Sequence, residues 1–291
     1  MGWTVDDIPD QTGRTFVVTG ANGGLGEHIT RALAGRGATV VMACRDTAKA
    51  EQVAQRIGGD LTVAHLDLGD LSSVRAFAAQ VDGCDVLINN AGVMNTPFRL
   101  TVDGFETQFG VNHLGHFALT GLLLDRVGDR VVTVSSIAHR QTPALHVDDL
   151  NYDNRRYVRA VAYGQSKLAN LMFARELQRR LHAAGSTKRS YAVHPGVSST
   201  ELFSHTETFL DKLAKPATRL IGHHPRKAAQ SAIFAATVGD ADPGIYWGPT
   251  RLMGVRGPVG ESPSTALSKD AELAAKLWTE SEKLTGVTFP L

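Results

Sequence analysis

The strongest constraint on this chain is a strict alternation of short apolar segments with stretches of helical periodicity, sustained from Thr15 to Trp247. Thr15-Phe16-Val17-Val18-Thr19 is apolar and β-branched, which marks a short buried strand. An amphipathic pattern follows through Glu27, Ile29, Ala32 and Leu33. Further strands are expected at 38–43, 61–66, 85–88, 130–134 and 189–193. Helices are expected at 46–57, 70–81, 105–127, 160–184 and 225–238, with a last apolar patch at 244–247. Strands apolar on both faces that alternate with helices mean a parallel sheet covered on both sides. The expected fold class is α/β, a single doubly wound parallel sheet of the Rossmann type with helices on both faces. No repeat or linker splits the 291 residues, so one domain is expected over 1–291. Within it, residues 1–13 would lead in, 198–224 would form a substrate lid and 250–291 a C-terminal extension.

In such a sheet, ligands bind beyond the carboxyl ends of the strands, where strand order reverses. Each strand end here carries polar or glycine punctuation. Gly20-Ala21-Asn22-Gly23-Gly24-Leu25-Gly26 follows the first strand and opens the first helix. A glycine turn at that place lets backbone N–H groups approach a pyrophosphate at the positive end of a helix. The glycines fit T-G-x-x-x-G-x-G through Gly20, Gly24 and Gly26, and fit T-G-x-x-G-x-x-G through Gly23 equally well. Arg45 follows the second strand, Asp67 the third, Asn89-Asn90-Ala91-Gly92 the fourth, Ser136 the fifth and His194-Pro195-Gly196 the sixth.

Tyr163 and Lys167 stand four residues apart, which puts a phenol and an ammonium on one helix face. Free tyrosine titrates near pH ~10 and is a poor base at neutrality. A fixed cation beside it favours the phenolate and brings proton transfer within range. Alone, the pair is equally an ordinary helix with a core Tyr and a solvated Lys; the rest of the chain gives it weight. Asn112 is a polar residue in an otherwise apolar stripe and needs a partner. His113 and His116 lie at i, i+3, but no carboxylate or thiol stands nearby with ligand spacing, so a metal is not expected.

Composition narrows the classes further. Net charge is +1 and the basic pairs are interleaved with acids, against a nucleic-acid surface. No apolar run approaches the ~18 residues of a membrane span, and MGWTVDDIPD lacks a signal peptide's basic and apolar regions. Cys44 and Cys84 fall at opposite edges of the expected sheet, too far apart for a bridge. A cytoplasmic protein without a membrane anchor is the simplest assignment.

Taken together, TGANGGLG, HLDL, NNAG, Asn112 in GVNHLGHF, VSS, YGQSK and HPG resemble the short-chain dehydrogenase/reductase family over roughly Thr15 to Trp247. TVDGFETQFGVNHLGHFALTGLLLD and ACRD are further similar to the retinol dehydrogenase-like subgroup and its bacterial relatives. NNAG and the chain order favour the simple oxidoreductase branch. The resemblance implies Tyr163 as acid/base, with Lys167 lowering its pKa and binding the nicotinamide ribose. Ser136 would hold the substrate oxygen. Asn112 would use its backbone carbonyl, in a distorted helix, to hold a water leading from Lys167 to solvent. Gly20, Asn22, Gly24, Leu25 and Gly26 would cradle the cofactor phosphates. Asp67 and Leu68 would meet the adenine, and Asn90, Ala91 and Gly92 the adenosine ribose. Pro195, Gly196, Val197 and Thr200 would lie at the nicotinamide. Tyr163 follows Ser136 by 27 positions, a wider gap than in simple members but shared by the subgroup; the insert leaves monomer and homodimer both open.

NAD-selective sites carry an acid after the second strand. Arg45 stands there instead, with Lys49 one turn on, so NADP(H) is expected over NAD(H). The expected activity is hydride transfer between the nicotinamide and a small lipophilic carbonyl or alcohol. Two alternatives use the same residues: an epimerase or dehydratase acting on a nucleotide sugar, and a dinucleotide-binding redox regulator with little turnover.

Overall fold

The computed structural model describes residues 2–196 and 225–291. Strands form at Thr15–Thr19 (β1), Thr39–Cys44 (β2), Leu61–His65 (β3), Cys84–Asn89 (β4), Val127–Val134 (β5), Arg189–Val193 (β6), Tyr246–Arg251 (β7) and Arg256–Glu261 (β8). They join one sheet in the order β3-β2-β1-β4-β5-β6-β7-β8, parallel except for β8, which pairs antiparallel with β7. The expected doubly wound parallel sheet is present. Order reverses between β1 and β4, so the crevice at the carboxyl end of β1 is the place for a ligand.

Successive side chains of β1 serve opposite layers. Phe16 and Val18 join a core with Ile29 and Leu33 of helix α1 (Gly24–Ala34) and with Ile233 of α8 (Gln230–Thr237). Val17 joins the other layer, with Phe77 of α3 (Leu71–Gln80), Phe117 of α5 (Gly115–Leu123) and Leu177 of α6 (Arg159–Ala183). Burial of both faces explains why the strands read as continuous apolar runs rather than as alternation. Helix α2 (Thr47–Ile57) starts at Asp46, whose carboxylate accepts from Lys49 N at 2.9 Å. Such a cap satisfies one of the free N–H groups of the first turn.

Two expectations need correction. The helix expected over 105–127 is broken into α4 (Thr107–Phe109), a π turn (Gly110–Leu114) and α5, and β5 already begins at Val127. The helix expected over 225–238 is likewise interrupted, into α7 (Pro225–Ala228) and α8. The C-terminal stretch, to which no element was assigned, supplies β8 and a final helix α9 (Ala271–Thr285). Asp270 caps the start of α9 and Gly286 ends it in the left-handed conformation. Trp278 of α9 stacks on Phe173 of α6 and meets Phe117 edge-on, so α6 is packed by the sheet on one side and by α9 on another.

Cys44 ends β2 and Cys84 begins β4; both are buried and free. Among the described residues, no helix is long and apolar enough to cross a membrane.

Candidate active site

The glycine turn is built by contacts that no side chain would survive. Gly20 and Gly24 have φ of +64° and +49°. A Cβ on Gly26 would lie 2.1 Å from the Gly20 carbonyl oxygen, so the first turn of α1 rests directly on the loop backbone. The space kept open is a cradle at the positive end of α1, suited to an anion. Gly26→Ala is expected to force loop and helix apart, at a cost of about 1–3 kcal/mol. Thermal unfolding should show a lowered Tm, and cofactor titration a weakened Kd.

Asn22 ties the turn to the next one: its Nδ2 donates to the Asp46 carbonyl at 3.0 Å. That bond brings Arg45 and Lys49, both exposed, to the edge of the cradle. A Cβ on Gly23 would sit 3.3 Å from Lys49 Nζ.

A cleft of about 480 Å³ runs from this cradle across the ends of β1, β4 and β5. Of the residues expected at the site, Gly20, Asn22, Leu25 and Arg45 line its first part, with Asp67 and Leu68 beside them. Asn90, Ala91 and Gly92 line its middle, and Ser136, Tyr163, Lys167, Pro195 and Gly196 the far part. Gly24, Gly26 and Asn112 are not on its lining. Val197, Thr200 and the lid expected at 198–224 lie outside the described residues.

Thr19, which closes β1, anchors the NNAG segment. Its hydroxyl accepts from the backbone N–H of Asn90 and of Ala91, each at 2.9 Å, and its carbonyl accepts from Asn90 Nδ2 at 2.8 Å. Asp67 folds its own carboxylate onto Gly69 N at 2.9 Å. Asn112 lies inside the π turn, and its side chain is fully engaged. Oδ1 accepts from Val93 N at 2.8 Å, while Nδ2 donates to the Val93 carbonyl and to Ser166 Oγ, both at 2.9 Å. A Cβ on Gly92 would stand 3.1 Å from Asn112 Oδ1 and 3.4 Å from Lys167 Nζ, so the three groups converge closely at this glycine.

Lys167 and Tyr163 share one face of α6, with Nζ 5.8 Å from the phenol ring centre. Lys167 is 4% exposed, and its ammonium donates to the Val134 carbonyl at 3.1 Å. Burial pulls its pKa down to about 8. Ser135 donates its hydroxyl to the Lys167 carbonyl at 2.7 Å, fastening α6 to the end of β5. Ser136 is turned the other way: its Oγ accepts from Ala138 N at 3.1 Å, which leaves the hydroxyl proton for a ligand. His139 Nδ1 donates to the Ser136 carbonyl at 2.7 Å, and His194 Nδ1 accepts from Gly196 N at 3.1 Å.

Thr19, Ser135, His139 and His194 support the site without having been singled out for that role. Thr19 and Ser135 adjoin recognisable motifs, which was the available signal; His139 lies in the insert, where none existed. The insert packs Leu145 and Leu150 against α6. Tyr157 donates to the buried Glu106 at 2.9 Å. His113 and His116 are buried and hydrogen-bonded to Ser281 and Thr19.

A glycine turn at the switch point of a doubly wound sheet is the architecture of a dinucleotide-binding enzyme. The short chain dehydrogenase profile matches residues 14–148. Retinol dehydrogenase 13 of Homo sapiens is 42% identical, over 96% of this chain and 86% of that protein. Retinol dehydrogenase 12 of Mus musculus is 42% identical, over 95% and 88%. A crystal structure of an uncharacterized protein from Mycobacterium Paratuberculosis is 50% identical, with a TM-score of 0.87 over 100% of both chains. The chain belongs to the short-chain dehydrogenase/reductase family, oxidoreductases that act on CH–OH groups with NAD(P)(H).

Proposed function

We propose that the chain transfers a hydride between NADP(H) and a small lipophilic carbonyl or alcohol. The carrying observation is that Ser136, Tyr163 and Lys167 line the same cleft as the glycine cradle and Arg45. The cradle suits a pyrophosphate because Gly26 lets the positive end of α1 pack directly on the loop backbone, with Gly20 lining the cleft beside it. A nicotinamide dinucleotide held there would supply or take up the hydride.

The chain's own residues supply the proton and the orientation. Ser136 offers its free hydroxyl proton to the substrate oxygen. Tyr163 gives that oxygen a proton in reduction and removes it in oxidation. Lys167 sets a positive charge beside the phenol and, with the Asn112 carbonyl, leads the proton onward to solvent. Val93 and Met94 add apolar wall to the cleft, which favours a lipophilic substrate. The names of the retinol dehydrogenase relatives accord with that class.

Arg45 and Lys49 supply the preference for a 2′-phosphate, since a guanidinium pairs with phosphate through charge-assisted bonds. Arg45→Ala should raise the Kd for NADPH about tenfold, from the loss of one charged hydrogen bond, and leave that for NADH within about twofold. Fluorescence titration of both cofactors reads this, and unchanged selectivity would remove Arg45 from the role. Steady oxidation of NADPH with a generic diketone or quinone tests the activity itself. A protein that binds the cofactor without such turnover would point to a redox regulator instead.

A further inference from the structure

His116 is buried in α5 and bonded at both ring nitrogens. Nδ1 lies 2.9 Å from the Asn112 carbonyl, and Nε2 lies 2.9 Å from the Thr19 hydroxyl. A carbonyl only accepts, so the proton is on Nδ1. Nε2 is then the acceptor, and Thr19 donates to it. The Thr19 oxygen meanwhile receives the Asn90 and Ala91 amides. One unbroken chain of donors and acceptors therefore runs from NNAG, through the last residue of β1, to the carbonyl of the π turn. Every direction in it is fixed.

We propose that His116 is a positioning residue, which as the Nδ1–H tautomer holds the Asn112 carbonyl in place and couples it to the strand end that carries the cofactor turn. Burial of the ring keeps it neutral, with its pKa lowered to about 4. Its titratable neighbours are Lys167 on α6 and His113 on the preceding turn. A carbonyl has two lone pairs. His116 occupies one of them and fixes the direction of the other, which the proposed proton path uses. The kinetic part of this inference rests on that reading of Asn112; the tautomer does not.

Two substitutions separate the two bonds, because Asn places an amide where Nδ1 stands and Gln places one where Nε2 stands. H116N keeps a donor for the Asn112 carbonyl and should retain the wild-type pH profile of kcat. H116Q keeps only the Thr19 link. It should lower kcat about tenfold, the worth of one buried hydrogen bond, and shift the profile by about one pH unit. The KM for NADPH should stay within about twofold. Variants that share the wild-type profile and differ only in Tm would overturn the proposal.

The tautomer is read separately on the intact protein by nitrogen-15 histidine spectra, with the His116 signal assigned by its loss in either variant. His116 should be Nδ1–H. His113 and His194, which donate from Nε2 to Ser281 and Ser262, should be the opposite tautomer and serve as internal references. An Nε2–H signal at His116 overturns the proposal whatever the kinetics show. An Nδ1–H signal with unchanged kinetics in H116Q would instead reject the relay role of the Asn112 carbonyl, and with it the positioning function.

Discussion

Tyr163→Phe is expected to lower kcat by about 100- to 10,000-fold, the usual worth of a positioned general acid, with the Kd for NADPH nearly unchanged. The phenyl ring keeps the packing of α6 and removes only the group that carries the proton. The loss should fall on kcat rather than on KM, because the missing contact matters most as charge develops on the substrate oxygen. Single-turnover absorbance at the nicotinamide band measures the step. A variant that kept half its activity would refute the role. Lys167→Ala should instead damage turnover and cofactor affinity together. Lys167 is buried beside the phenol ring in the cleft wall, and its loss would leave the Val134 carbonyl without that donor.

The second large effect is on stability in acid. His113 and His194 have pKa values lowered to about 3, and His116 and His139 to about 4, each mainly because burial penalises the imidazolium. In the unfolded chain each titrates near ~6.5. Between those values the unfolded state binds more protons than the folded one, so stability falls as pH falls. The contribution is complete above pH ~6.5 and is lost as pH falls towards about 3–4. At pH 5 each histidine has cost about 2 kcal/mol. Four of them rival a typical domain's whole margin of ~5–15 kcal/mol. Glu106, whose carboxyl is raised by burial, works in the opposite direction, one group against four. Urea midpoints taken from pH 7 to 5 should fall steeply. Replacing His139 by Gln should flatten the slope by about one proton. A midpoint that does not move across this range would count against the neutral, buried assignment.

How far the sequence could be read follows from the kind of signal each feature leaves. Strand β6 is legible because the short run Tyr191-Ala192-Val193 stands between Gly185-Ser186 and Pro195-Gly196. Strand β8 is not. Arg256–Glu261 (RGPVGE) has no apolar alternation and a single β-branched residue, Val259, and it is a strand because β7 offers an edge beside it. Helix α9 does carry boundary signals in the sequence, Asp270 before the periodic stretch and Gly286 after it. The π turn leaves no mark on the apolar pattern, since one extra residue in a turn barely disturbs it; only the family resemblance implied a distortion at Asn112. The candidate site divides in the same way. Motif residues sit at strand ends where spacing is local, so they could be found. The links from Thr19 to Asn90, Ala91 and His116 join segments far apart in sequence, and such contacts leave no spacing behind; His139 bonds Ser136, three residues back, in an insert without a motif.

The two thiols give the sheet a pair of chemical clocks. Cys44 lies at its carboxyl end, between Ala43 and Arg45 of the cleft wall, and Cys84 at its amino end. Burial pushes their pKa values up to about 11 and about 12, so alkylation must wait for the backbone to open. Since these are the only cysteines in the chain, the label on each records one end of the molecule. Cofactor should slow the clock at Cys44 more than the one at Cys84 wherever opening is local. Where both slow alike, the sheet opens as a single unit.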